Sequence, residues 1–249
     1  MNEYLSFLIL GLAQGITEFL PVSSSGHLVL LERLGVGEPN VLNNLLLHCA
    51  TLLVVLVFYR KKIFDLLRHP TCPQMRFLLL ASLPTALLAG VIRFLLPDAS
   101  AYLPFFFFVT SFLLLLPSLL PKPDFVFENK AAAKALFVGA MQGVACFAGV
   151  SRSGATASAL LLAGCPKEKT GEYSFLLSVP IIVGSSAAEL LTGSAGTLTP
   201  AVLPGFAAAF ISGSLSLKLF SGVLKNDRLP LFSVYTAALG VLSFFLLFR

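Results

Sequence analysis

"QGITEFLPVSSSGH", Gln14 to His27, decides the reading of this chain because it occurs twice. At a constant offset of 128 it overlies "QGVACFAGVSRSGA", Gln142 to Ala155. Gln, Gly, Phe, Val, Ser, Ser and Gly coincide, seven identities in fourteen positions. Both copies set polar groups into a chain that otherwise reads as membrane. The 249 residues are 57% hydrophobic and 12% charged, whereas soluble domains carry about 25% charged residues. Apolar runs at 41–59, 77–96, 103–120, 173–191, 201–219 and 230–248 each approach the ~20 residues that a spanning helix needs. Lipid tolerates only helices and closed barrels. The expected fold class is therefore an all-α integral membrane protein with six transmembrane helices.

Loop charge gives the expected orientation. Basic residues cluster at 60–76 (Arg60, Lys61, Lys62, Arg68, Arg76), 121–134 (Lys122, Lys130, Lys134), 164–172 (Lys167, Lys169) and 218–229 (Lys218, Lys225, Arg228). The positive-inside rule makes these cytoplasmic. Segments 98–102 and 192–200 hold no Lys or Arg and are expected outside. Segment 135–163 then enters and leaves on the same side, which reads as a re-entrant helical hairpin. Each copy of the repeat is followed by three spans. The chain thus reads as one membrane domain, 1–249, made of two inverted repeats. The first half, 1–120, carries a re-entrant hairpin at 4–31, and the second, 135–249, carries one at 135–163. Such repeats place their sites near the bilayer midplane, where broken helices meet. Both termini fall outside, and "MNEYLSFLIL" has neither the basic n-region nor the cleavage site of a removed signal peptide. The competing reading makes 4–31 one spanning helix kinked at Pro21 and Gly26.

The net charge of +5 sits in short loops with no aromatic interleaving, so it argues for orientation and against a nucleic-acid partner. Cys49, Cys72, Cys146 and Cys165 show no metal spacing and are expected as free thiols.

The two tips carry the chemistry. Gln14 and Glu18 are four apart and share a helix face. Pro21 ends that helix, and Ser23, Ser24, Ser25 and Gly26 offer hydroxyls and N–H groups at the start of the next, a ready anion site. His27 follows in the first turn. The second tip holds Ser151, Arg152, Ser153, Gly154 and Thr156, and Arg suits bidentate phosphate binding. Glu18 aligns with Cys146, Ser24 with Arg152 and His27 with Ala155. One copy holds the acid and base groups and the other the cation, which points to one composite site fit for phosphoryl transfer. Simpler roles compete. The serines can bond backbone, Glu18 and Arg152 can form a structural ion pair, and His48 reads as a packed or hydrogen-bonded histidine within a span.

"QGITEFLPVSSSGHL" and "GVSRSGATASALLLAG" resemble the two signature motifs of bacterial undecaprenyl-diphosphate phosphatases, the bacitracin-resistance proteins. "YSFLLSVPIIVG", 173–184, is similar to the segment after the second motif. The resemblance covers nearly the whole chain in element order. It implies a phosphatase of the bacterial cytoplasmic (inner) membrane. Such an enzyme cleaves the terminal phosphate of a polyprenyl diphosphate lipid, recycles the carrier for peptidoglycan and counters bacitracin. Its site would open to the outer face, with divalent Mg²⁺ or Ca²⁺ as cofactor. By motif position, Glu18 would be the essential glutamate and Gln14 its Glu-or-Gln partner. Ser24 and His27 would be the nucleophile and its neighbour, and Arg152 the phosphate-binding arginine. Gln14 and Glu18 are the candidate metal ligands, although the neutral Gln14 weakens that pair. Ala148 stands where the family usually has Pro. The expected mechanism has Ser24 attack phosphorus with His27 as base or proton shuttle, or His27 attack directly. A polyprenyl-phosphate transporter using the same anion site is the rival class, and a homodimer is left open.

Overall fold

The computed structural model describes residues 2–38, 40–95, 100–120, 131–191 and 199–247. Among them the chain forms eleven α-helices, one 3₁₀ turn at Ser100–Tyr102 and no strand. The helices are α1 Glu3–Phe19, α2 Ser24–Arg33, α3 Val41–Phe58, α4 Arg60–Arg68, α5 Pro73–Leu95 and α6 Leu103–Leu119. Then come α7 Ala131–Val144, α8 Arg152–Leu162, α9 Lys167–Leu191, α10 Val202–Lys225 and α11 Leu229–Leu247. Segments 121–130 and 192–198, two of those used to orient the chain, lie outside the described residues.

Five helices, α3, α5, α9, α10 and α11, are long and apolar enough to cross a bilayer. The chain is a multi-pass membrane protein. The sixth expected span, 103–120, is α6. Its 17 residues reach about 26 Å at 1.5 Å per residue, just short of a ~30 Å hydrocarbon core. The basic segment 60–76, read as a loop, contains α4. Its cationic residues share the helix with exposed Phe64 and Leu67, and the Arg68 guanidinium sits 4.2 Å from the Phe64 ring centre.

α1 and α2 are separated by the non-helical residues 20–23, and α7 and α8 by 145–151. At Leu20 the backbone turns extended, as expected before Pro21, whose ring disfavours a helical predecessor. α1 packs most extensively on α10, α7 on α5, and α6 on α11. Small residues permit the closeness. A Cβ on Gly11 of α1 would lie 2.1 Å from the Gly205 carbonyl oxygen, and one on Gly139 of α7 would lie 1.9 Å from that of Ala81. Side-chain hydroxyls reinforce both seams, with Ser216 donating to the Gly15 carbonyl at 2.6 Å and Thr85 to the Gly139 carbonyl at 2.8 Å. Such contacts substitute for the hydrophobic drive that lipid removes. Phe19, at the end of α1, is fully buried and meets Phe175 edge-on with ring centres 5.2 Å apart. This anchors the first break against α9.

Candidate active site

The two breaks meet. Gly149 N–H donates to the Ser23 hydroxyl at 3.1 Å, and the Ser153 hydroxyl donates to the Leu20 carbonyl at 3.1 Å. Arg152 Nη2 pairs with Glu18 Oε1. These bonds join residues more than 120 positions apart, so both tips build one cluster.

Each tip is shaped by a serine cap. Ser23 caps α2 by accepting from Gly26 N–H at 3.3 Å, and Ser151 caps α8 by accepting from Gly154 N–H at 3.1 Å. Ser23 holds φ +69° and ψ 96°, an uncommon region for a residue with a Cβ. Strain of this kind concentrates at functional sites, at about 1–3 kcal/mol. Gly149 turns the second tip at φ +98°. A Cβ there would stand 2.9 Å from the Leu103 carbonyl oxygen, so the position requires glycine. Where the motif's proline is replaced by Ala148, the neighbouring Phe147 stacks on Phe106 with centres 4.2 Å apart and braces the entry.

At the centre is Glu18, buried against every neighbour that can charge-balance or hydrogen-bond it. Its Oε2 accepts from Ser24 Oγ at 2.6 Å and from Gln14 Nε2 at 2.9 Å. Gln14 Nε2 also reaches His48 Nδ1 at 2.8 Å, and His48 Nδ1 stands 3.5 Å from Glu18 Oε2. Among the described residues, two buried polar atoms here find no hydrogen-bond partner, Arg152 Nη1 and Gln14 Oε1. An orphaned guanidinium nitrogen is costly to bury, and it is a donor free for an anion. Of the first-turn N–H groups of α2, that of Gly26 is taken by the Ser23 cap, and those of Ser24 and Ser25 have no intrahelical partner.

His27 is held at both nitrogens. Nδ1 lies 2.7 Å from the Ser23 carbonyl and Nε2 lies 2.8 Å from Tyr235 Oη. Neither nitrogen bonds Ser24. A carbonyl only accepts, so Nδ1 carries the hydrogen. In the neutral ring Nε2 is then the acceptor, and the phenol donates to it.

The other expected site residues are placed as follows. Ser25 is half-buried beside Ser23, with hydroxyls 3.4 Å apart. The Ser151 hydroxyl sits on its cap and 3.3 Å from that of Ser153. Gly26 and Gly154 donate to the caps. Thr156 points away from the tip. It is fully buried, donates to the Arg152 carbonyl at 2.8 Å and contacts the Ser174 hydroxyl, which braces α8 against α9. Two residues join the cluster that sequence reading did not assign to it, His48 and Tyr235. Both sit on spanning helices outside the aligned stretches 14–27 and 142–155, and only packing brings them in. All four cysteines are free.

Among the described residues no three His, Cys, Asp or Glu side chains converge as a metal cage. Mg²⁺ is commonly held by one or two carboxylates together with substrate phosphates. The Glu18 carboxylate and the orphaned Gln14 Oε1 fit that mode, in which the diphosphate supplies most of the ligands.

A helical membrane protein with a Ser–Glu–Arg cluster at paired helix breaks defines a class, membrane enzymes that handle an oxyanion. The comparisons then specify the group. The family model described as "Bacitracin resistance protein BacA" matches residues 7–242. The undecaprenyl-diphosphatase of Carboxydothermus hydrogenoformans is 36% identical over 251 residues, covering 97% of this chain and 96% of the relative. That of Thermosipho africanus is 35% identical, covering 97% and 99%, and that of Syntrophotalea carbinolica 35%, covering 97% and 98%. The chain belongs to the bacitracin-resistance protein family.

Proposed function

We propose that this protein is an undecaprenyl-diphosphate phosphatase. It hydrolyses the lipid diphosphate to the monophosphate and inorganic phosphate, recycles the carrier lipid for peptidoglycan synthesis and gives bacitracin resistance. The observation that carries the mechanism is the 2.6 Å hydrogen bond from Ser24 Oγ to Glu18 Oε2 beside the unpartnered Arg152 Nη1. A nucleophile, a proton acceptor and a free cationic donor stand together. A pure carrier needs the anion site but no activated nucleophile, so the cluster favours hydrolysis over transport.

Arg152 Nη1 and the α2 N–H groups take the terminal phosphate, where charge stabilisation does most of the work. Ser24 Oγ attacks phosphorus as its proton passes to Glu18. The bond to the bridging oxygen breaks, and the lipid monophosphate leaves with that electron pair. The Ser24–Glu18 bond supports Glu18 as first base in place of His27. His27, with an acceptor at Nε2, is left to take the proton of the water that attacks phosphoserine, while the P–Oγ bond breaks and Glu18 returns its proton to Ser24 Oγ. A divalent cation, Mg²⁺ or Ca²⁺, held by Glu18 and Gln14 would neutralise diphosphate charge.

The same reading sets the site in the membrane. At 1.5 Å per residue, α2 and α8, with 10 and 11 residues, reach about 15–17 Å, half a bilayer. That supports two re-entrant hairpins, α1–α2 and α7–α8. The packing of α1 on α10 and of α7 on α5 pairs each hairpin with a helix of the opposite half, as an inverted repeat requires. The site then opens to the outer face of the cytoplasmic membrane, with both termini outside. Exposed apolar faces of the spans meet lipid and the prenyl tail.

Purified protein given undecaprenyl diphosphate in detergent should release inorganic phosphate and leave undecaprenyl phosphate. Binding of the lipid without release would refute the assignment.

A further inference from the structure

We infer that Tyr235 is a positioning residue for His27, holding its ring in one place and its Nε2 as the unprotonated nitrogen. Several observations converge. The phenol Oη lies 2.8 Å from His27 Nε2. The two ring planes are 11° from parallel with centres 5.8 Å apart, so the phenol meets the imidazole end-on and close to its plane, where the Nε2 lone pair lies. On the other side the Ser23 carbonyl takes the Nδ1 hydrogen at 2.7 Å, and the Phe107 ring meets the imidazole edge-on at 6.1 Å. The imidazole is therefore held at both ends of its polar axis. Tautomer choice in histidine follows the bond made by the other nitrogen, and here both bonds favour hydrogen on Nδ1.

The clamp has a rigid base. Two residues before Tyr235 on α11, the Ser233 hydroxyl bonds that of Ser111 on α6 at 2.9 Å in the buried seam. Gly240, a turn and a half further on, admits the Phe108 ring to 3.0 Å of where a Cβ would be. The Tyr235 ring itself is half exposed. It therefore sits at the rim of the cluster, where its hydroxyl can yield Nε2 to water once substrate is in place. The last helix of the second half thus supports a side chain of the first tip, a link the repeat does not contain.

The inference rests on His27 belonging to the reactive centre, and its test separates the two claims. The chain has three histidines, so protein labelled with ¹⁵N-histidine gives few ring signals, and His27→Asn assigns those of His27. In substrate-free protein, His27 should show a protonated Nδ1 and an unprotonated Nε2. Tyr235→Phe keeps the ring and removes the donor. It should introduce the Nε2–H tautomer and lower kcat about tenfold, the order expected for one lost hydrogen bond, with KM changed less than about twofold. An unchanged nitrogen signature in Tyr235→Phe overturns the inference, whether or not kcat falls. Because that signature needs no substrate, a protein that hydrolyses nothing would sink the phosphatase reading while leaving this one to be judged.

Discussion

Arg152 has two jobs at two nitrogens. Nη2 neutralises the buried Glu18 carboxylate, and Nη1, which has no hydrogen-bond partner among the described residues, takes substrate in the proposed mechanism. A lysine has one ammonium and cannot fork. Arg152→Lys should therefore fold, retain the ion pair and lose at least tenfold in kcat/KM, measured as phosphate release. Arg152→Ala additionally leaves Glu18 uncompensated, at a cost of about 3–5 kcal/mol in stability, visible as a lowered Tm. Glu18, Ser24 and Arg152 were legible as candidates in the sequence because charge and hydroxyls in an apolar segment are expensive and because the repeat aligned them. The Glu18–Arg152 ion pair was among the competing readings and the structure contains it, whereas the partner of Ser24 was not legible. Ser24 could have leaned on His27 or Glu18, and only the fold of the first tip puts its hydroxyl on the carboxylate. His48 read as a packed or hydrogen-bonded histidine, and it is hydrogen-bonded; that its partner is Gln14 inside the cluster was not legible.

Helix breaks were the most legible elements. Pro21 follows the end of α1 at Phe19, whereas α7 ends at Val144, before the Phe147 that the repeat aligns with Phe19, and the apolar runs located the long helices to within about six residues. α4 was missed because a short basic run scores as loop, while its amphipathic face, Phe64 and Leu67 against four cations, is the pattern of an interfacial helix. The seams between breaks and spans were invisible because a glycine's neighbour is set by tertiary packing. They yield a paired expectation. Gly139→Ala drives a methyl into the Ala81 carbonyl, and overpacking of this kind costs about 1–3 kcal/mol. Gly90→Ala, on α5 with nothing within 4 Å, should be neutral or gain up to about 1 kcal/mol from helix propensity. Thermal unfolding in detergent compares them, and equal Tm values would contradict the close approach of α7 to α5.

For the whole molecule, the inverted arrangement proposed above would set which ends face which side. Single-cysteine variants at Asn2 and at the exposed His69 should behave oppositely with an impermeant maleimide on intact cells. Asn2→Cys should label directly, and His69→Cys only after permeabilisation. Labelling of both from one side would contradict the inversion. The account's central claim is that two homologous tips make one hydrolytic centre, the first supplying Ser24 and Glu18 and the second Arg152. The direct measurement is phosphate release from undecaprenyl diphosphate by wild type, Ser24→Ala and Arg152→Ala, each checked for folding by its melting curve. The account predicts release by wild type and near-complete loss in both variants. Full activity in either folded variant would contradict it.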